Sequence, residues 1–488
     1  MKHSDAIQAH LQRINRRSFL SKSGMGLGAA ALAYLSNPLS AFAGGPSSLL
    51  GEGGIGKPHF ASTAKRVIYL FQAGGPSQMD LFQYKPLLNE RHGEEIPESV
   101  VGKQRISGMT AFQGKFPLTG SMFSFQQYGE SGAWMSELMP HTAGIVDDLC
   151  FVHTVNTNAI NHDPGITFMQ TGSEQAGRPC FGSWISYGLG RENDNLPAFV
   201  VLLSRHSRVQ TTLSSNLWSN GFLPSHHQGV QFRSGKDPVP YLNNPAGIDR
   251  SGRREALDFI SAVNRLDHEA SGDPHVLAQI EQYEMAYRMQ RSVPDVTDLS
   301  DEPSYILDMY GEDVHIPGSY ASNCLRARRL AEEGVKFIQL YHMGWDHHSN
   351  LPSRIRATSK QTDQASAALI KDLKQRGLLE DTLVIWGGEF GRTAFSQGGA
   401  SKDDYGRDHH PRCFSVWMAG GGVKPGLNYG KTDAFGYNIV QDPVHVHDLM
   451  ATALHTLGLD HERLTFRHQG RRYRLTDVHG QVMRDLLG

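Results

Sequence analysis

Short apolar runs alternate with longer helical stretches through most of the chain, and this rhythm constrains the fold more than any other feature. RVIYLF (66–71), CFVHTV (150–155), AFVVLL (198–203), VKFIQLYH (335–342), TLVIWG (382–387) and CFSVWMAGG (413–421) read as buried strands. Helical patterns fall between them at 136–149, 161–172, 181–190, 320–334, 354–377 and 444–458. Apolar strands joined by helices predict an α/β fold with a mostly parallel central sheet and helices on both faces. Residues 204–250 read as irregular and lead into helical segments at about 252–268 and 274–291. A loop and helix insertion, or cap, is therefore expected at about 204–300.

The first residues do not share this rhythm. Arg16-Arg17 precede Phe19-Leu20, an apolar run follows at 24–35, and Ala41-Phe42-Ala43 has the form of a cleavage site. This is the pattern of a twin-arginine export signal, and the apolar run is too short for a stable membrane span. The expected organisation is a signal at 1–43, a Gly/Ser/Pro-rich linker at 44–65 and the main domain at 66–488. The expected destination is periplasmic or secreted, with the twin-arginine export machinery as a partner. Lys and Arg total 47 against 49 Asp and Glu, which excludes the basic field of a nucleic-acid binder. Cys150, Cys180, Cys324 and Cys413 are too widely spaced for a zinc-thiolate centre, and the spacing leaves disulfide pairing open.

In parallel sheets, ligands bind beyond the carboxyl ends of the strands. The polar clusters lie there: QAGGPSQMD (72–80), NTNAINHDPG (156–165), GWDHHSN (344–350) and GEFGRT (388–393), with YGRDHHPR (405–412) in a loop before a strand. Asp346-His347-His348 and Asp408-His409-His410 repeat one Asp-His-His pattern, and Glu389 ends a strand between them. Oxygen and imidazole donors from separate strand ends are able to converge on one divalent metal, for which zinc, manganese and calcium are all chemically suitable. In NHDPGITFMQTG (161–172), Asp163 suits a helix cap, Pro164 the first helical position and Gly172 the end. His162 then stands at a helix N-terminus, where backbone amides favour its neutral ring.

The order of these motifs resembles the alkaline phosphatase/sulfatase superfamily. LMPHTAGIVDDLCFVHTVNTNAINHDPGITFMQTG (138–172) is similar to the stretch that carries the sulfatase nucleophile, and His162 falls at the nucleophile position. TLVIWGGEFGRT is similar to the strand ending in Asp-His-Gly, with Glu389 at the Asp and Phe390 in place of the metal-binding His. GWDHHSN and GRDHHPRCFSVWMAGGGVKPG resemble the later metal motifs. GGPSQMDLFQYKP, GWDHH, GEFGRT and GRDHHP together resemble one branch, a twin-arginine-exported, sulfatase-like bacterial family of unknown function.

The resemblance implies an alkaline phosphatase-like fold and a hydrolase acting on sulfate or phosphate esters, with a small-molecule or glycan ester as substrate. No Ser, Thr or Cys occupies the nucleophile position, and Phe390 removes a ligand, so one ion is expected. The alternative is a non-catalytic metal- or glycan-binding protein on the same fold. The expected metal residues are Asp346, His348, Glu389 and His410 in one coordination sphere, with His347 and His409 behind them or as substitutes. Asp80 either joins them or caps a turn. His162 is read as metal ligand or general base, or else as a helix-entry histidine bonded to a carbonyl. Arg392 either clamps an anionic group or pairs with Glu389. Asn161 orients substrate or shapes a turn, and His227 and Arg233 line a substrate cap or a surface loop.

Overall fold

Arg66–Ala73 (β1) is buried along its whole length and runs through the middle of a nine-stranded sheet. The computed structural model describes residues 56–204, 213–235, 238–240, 242–244, 247–401 and 404–488. The expected signal at 1–43 and most of the expected linker at 44–65 lie outside the described residues.

The other strands of the sheet are β2 (Cys150–Asn156), β3 (Phe199–Leu203), β4 (Val230–Phe232), β5 (Phe337–Met343), β6 (Thr382–Gly387), β9 (Phe414–Ala419), β10 (Leu427–Tyr429) and β11 (Val444–His445). Their order is β10-β2-β9-β6-β1-β5-β3-β4, with β11 also pairing β2. Every pairing is parallel except those of β9, which runs antiparallel to β2 and β6. The fold is thus α/β with a mostly parallel central sheet. One strand, β4, falls within the stretch that reads as irregular in sequence. It is three residues long, too short to show a period.

Alternation along β1 explains why its sequence is apolar throughout. Ile68 and Leu70 point into one core, and Val67, Tyr69 and Phe71 into another on the opposite face. Helices α5 (Tyr320–Glu332) and α6 (Leu351–Gln375) supply Leu325, Leu330, Leu369 and Leu373 to the first core. Helices α1 (His162–Thr171), α2 (Phe181–Leu189) and α7 (Val446–Thr456) supply Ile166, Trp184 and Leu454 to the second. Within the expected insertion, α3 (Arg250–Ser271) and α4 (Pro274–Thr297) form a helical pair, and Met289 and Val293 of α4 join the first core. All four cysteines are buried and unpaired. Among the described residues, no helix is long and apolar enough to cross a membrane.

A two-stranded hairpin stands apart from the sheet: β7 (Gly391–Ser396) and β8 (Arg407–His410). Its register sets His409 opposite Arg392 and His410 opposite Gly391. The sequence reads 405–412 as loop, because a run of charged and imidazole side chains carries no apolar alternation. The strand forms here because both of its faces are buried by polar contacts.

Candidate metal centre

Four side chains from three segments meet beyond the carboxyl ends of β2 and β5 and on the hairpin. These are His162, Asp346, His348 and His409, whose nearest donor atoms all lie within 4.8 Å of one another. Asp346 Oδ1 is the common point. It lies 2.8 Å from His348 Nε2, 3.2 Å from His162 Nε2 and 3.5 Å from His409 Nε2. The cluster is half-buried: side-chain exposures are 17% for His162, 14% for Asp346, 18% for His348 and 4% for His409.

Each imidazole is held from behind. His162 Nδ1 donates to Glu389 Oε1 at 2.6 Å, His409 Nδ1 to the Ile160 carbonyl at 2.8 Å and His348 Nδ1 to Gln397 Oε1 at 2.5 Å. With Nδ1 committed behind each ring, all three rings turn Nε2 toward Asp346, and Nε2 is the nitrogen a metal ion would take once any proton there is lost. The Nε2 atoms of His162 and His409 are buried, and neither makes a well-aligned hydrogen bond; each has only the Asp346 carboxylate facing it, at 3.2 and 3.5 Å. A buried imidazole nitrogen without a hydrogen-bond partner is unusual, and three Nε2 atoms gathered around one carboxylate oxygen form a donor set able to hold a divalent ion, with outer hydrogen bonds on each ring. The residues present fit such an ion.

Backbone geometry makes the convergence feasible. Gly74, at φ +113°, donates its amide to Glu389 at 3.0 and 3.2 Å, and a Cβ there would lie 2.5 Å from the Asp346 nitrogen. Gly75, at φ +70°, leaves room for the Phe390 ring, which a Cβ would meet at 2.8 Å. Helix α1 begins at His162, with Asn161 as an N-cap that makes no side-chain bond and Gly172 closing it at φ +67°. The start lies two residues before the position expected from Pro164, so His162 itself is the first helical residue, and Asn161 and Asp163 are exposed.

Arg392 is buried and committed. It donates to the carbonyls of Gly75 (2.9 Å), Arg407 (3.0 Å) and Gly74, and to Asp346 Oδ1 at 2.7 Å. Its fork faces Asp346 and the backbone, not an open surface. Gln78 fixes this strand by exchanging two hydrogen bonds with the Arg392 backbone, at 2.8 and 2.9 Å.

Electrostatics follow from these contacts. Burial lowers the His162 pKa, but the hydrogen bonds to Asp346 and Glu389 outweigh it and raise the value to about 9. In the metal-free protein the two carboxylates therefore override the helix N-terminus, which by itself favours a neutral ring. Burial of Asp346 is likewise outweighed by three imidazoles and Arg392, which hold its carboxyl far below the ordinary range. Burial keeps His409 neutral, down at about 4.

The remaining residues singled out in the sequence lie elsewhere. His410 points to the opposite side of β8 from His409, as strand alternation requires, and its Nε2 bonds the Tyr437 carbonyl at 2.7 Å. His347 is buried between Asp346 and His348 in sequence and is not part of the cluster. Asp80 is fully buried in an ion pair with Arg407 at 2.8 Å and accepts hydrogen bonds from Ser77 and Tyr405. Asp408 anchors Ser107 and Thr110. Phe390 packs its ring 5.0 Å from that of His162 and 4.4 Å from that of His409, filling the space beside the cluster with apolar surface. His227 is buried against Ser186 at 2.9 Å, and Arg233 lines a separate cavity of about 480 Å³ beside β4 and α4. Gln397, Gln78 and the Gly74 amide were not legible as part of the centre, because their contribution is a hydrogen bond across more than 45 residues of chain.

A family profile described as "Protein of unknown function (DUF1501)" matches residues 64–487. No curated protein matches. Among solved structures, the chain is similar to alkaline phosphatase from the Antarctic bacterium TAB5, at 12% identity over 82% of this chain and 99% of that one, with a TM-score of 0.34. It is similar to the PsFucS1 sulfatase from Pseudoalteromonas sp., at 11% identity over 82% and 69% of the two chains, with a TM-score of 0.35. It is similar to the lipoteichoic acid synthase LtaP from Listeria monocytogenes, at 8% identity over 88% and 77%, with a TM-score of 0.31. Likeness at these identities and scores carries no information about reaction or ligand.

Proposed function

Since the chain belongs to the family described as Protein of unknown function (DUF1501), we propose that it is a metal-dependent hydrolase of phosphate or sulfate esters. One divalent ion would be held by His162, Asp346, His348 and His409. The observation that carries this reading is the set of three Nδ1 anchors, which turn three Nε2 atoms toward one carboxylate oxygen. Three nitrogens and one oxygen suit zinc or manganese. Calcium, which takes six to eight oxygens, suits the set poorly.

A bound ion supplies Lewis-acid polarisation of an ester oxygen and acidifies water. The chain's own residues do the rest. Asp346 carries the negative charge of the centre and is held in place by Arg392. Glu389 keeps a proton at His162 Nδ1, and the Gly74 amide fixes Glu389. With its ring anchored in this way, His162 acts as a ligand, not as a covalent nucleophile. Its pKa of about 9 in the metal-free protein also makes it a poor base at neutral pH. The expected substrate is a small or glycan ester met outside the cytoplasm. Arg16-Arg17, the apolar run and Ala41-Phe42-Ala43 support twin-arginine export and cleavage after Ala43.

A second reading, a non-catalytic metal- or glycan-binding protein, is favoured by two features. The cluster contains no Ser, Thr or Cys, and the guanidinium nearest to it is used up on Asp346 and backbone. The test is metal analysis of purified protein, followed by turnover of aryl phosphates and aryl sulfates by the zinc- and manganese-loaded forms. One ion per chain with turnover that His409→Ala abolishes supports the hydrolase. One ion without turnover on either ester class supports the second reading, and no stoichiometric ion refutes the hydrolase and the metal-binding form of the second reading.

A further inference from the structure

Helix α5 carries three arginines, and two of them are heavily paired. Arg328 reaches Glu302 and Glu332 at 2.5 Å and Asp372 at 2.9 Å, and Arg329 reaches Glu302 at 2.8 Å. Arg326 has no such partner among the described residues. It is 8% exposed, and its Nε and Nη1 are buried without a hydrogen-bond partner. Burial lowers its pKa, and no carboxylate among the described residues raises it again. An uncompensated buried guanidinium is a costly thing to keep in a fold.

The side chain lines a cavity of about 700 Å³ between α5 and the segments that flank α4. Ser322, one turn earlier on the same face of α5, lines it too, and Leu299, Leu307 and Val314 give it apolar walls. Asp298 is the acidic residue on this lining among the described residues. It is exposed, accepts the Ser300 amide at 3.0 Å and interacts with Arg329 rather than with Arg326. No residue of the metal cluster lines the cavity.

We propose that this cavity binds an organic anion, with a carboxylate or phosphate head taken by Arg326 and an apolar body laid against Leu299, Leu307 and Val314. A guanidinium pairs with either head group through charge-assisted hydrogen bonds. The walls supply burial for an aliphatic or aromatic remainder. The site is separate from the metal centre, so it stands whether or not the hydrolase reading does.

Calorimetric titration of the full chain with octanoate, octyl phosphate and octanol tests the proposal. At least one of the two anions should bind, and octanol should bind at least tenfold more weakly. The anion that binds better identifies the head group. Arg326→Met should weaken anion binding at least tenfold while its melting temperature stays equal to or above that of the wild type, because an unpaired charge has been removed. Arg326→Lys should retain part of the affinity. Failure of both anions to bind the wild-type chain overturns the proposal. So does undiminished anion binding by Arg326→Met, or a markedly lower melting temperature for that variant, which marks a purely structural arginine.

Discussion

Replacing Glu389 with glutamine should weaken metal binding about tenfold without unfolding the protein. Glu389 is fully buried, and its Oε1 accepts both His162 Nδ1 at 2.6 Å and the Gly74 amide at 3.0 Å. Glutamine keeps the shape and, with its oxygen at that position, both of these bonds. It loses the charge, and its NH2 then faces the Gly74 amide where Oε2 accepted at 3.2 Å. A charge-assisted hydrogen bond is about twice as strong as a neutral one. Changes to groups that orient metal-binding histidines cost roughly 10–100-fold in affinity. The isosteric change belongs at the lower end, about tenfold or ~1.4 kcal/mol. Glu389→Ala, which frees the ring altogether, belongs near 100-fold. Competition of metal-free protein with a chromophoric chelator for zinc measures both, and urea unfolding checks that the fold persists. Equal zinc affinity in wild type and both variants, with unchanged unfolding, would show that the His162 ring does not depend on Glu389 to ligate.

The same anchoring makes the centre sensitive to pH. His162 is raised in the folded, metal-free protein to about 9 from an ordinary 6.5, so its contribution to stability is complete below about pH 6.5 and lost as pH rises through 9. Urea unfolding of metal-free wild type should weaken over that window, and His162→Gln should remove the dependence. Zinc must displace that proton, so apparent affinity should climb about tenfold per pH unit from about pH 7 to about pH 9; a flat profile rules out His162 as a ligand. His409→Ala should abolish stoichiometric zinc binding, whereas His410→Ala should leave it within a few-fold and lower stability by about 1–3 kcal/mol through the orphaned Tyr437 carbonyl, as chelator titration and denaturation would show. Arg16→Lys with Arg17→Lys should hold the protein in the cytoplasm, and N-terminal sequencing of the exported wild type should begin at Gly44; periplasmic accumulation of the double variant would defeat the export reading.

The parallel sheet was legible because both of its faces are covered, which makes each strand an unbroken apolar run such as RVIYLF. The motif clusters were legible for the related reason that ligands gather beyond strand ends. The choice between adjacent histidines was not. In 408–410, only the discovery that these residues form a strand, with His409 opposite Arg392, decides which ring turns toward Asp346. Nor does a sequence reveal that Arg392 is consumed by carbonyls of Gly74 and Gly75, or that Asp80 is bound by Arg407. Those partners lie hundreds of residues away, and the same residue types serve equally well as surface charges. Tyr405 and Arg407 gave no signal that they wrap Asp80 in a buried network, because polar side chains facing inward break the apolar periodicity on which strand reading depends.

The donors of the centre belong to segments that are strangers in the chain: one at residue 162, one at 346–348 and one at 409. Only Asp346 and His348 are near neighbours before folding. An ion meeting the unfolded chain thus finds a two-residue fragment of its site, and the rest exists only after slow, long-range parallel pairing is complete. On that reading, binding is expected to come after the folding barrier instead of guiding the chain over it. Removing the ion should leave the refolding rate nearly untouched and speed unfolding, because the contacts it ties together are absent from the transition state. A metal held here would act as a latch on a finished domain, its occupancy reporting that segments far apart in the chain have found each other.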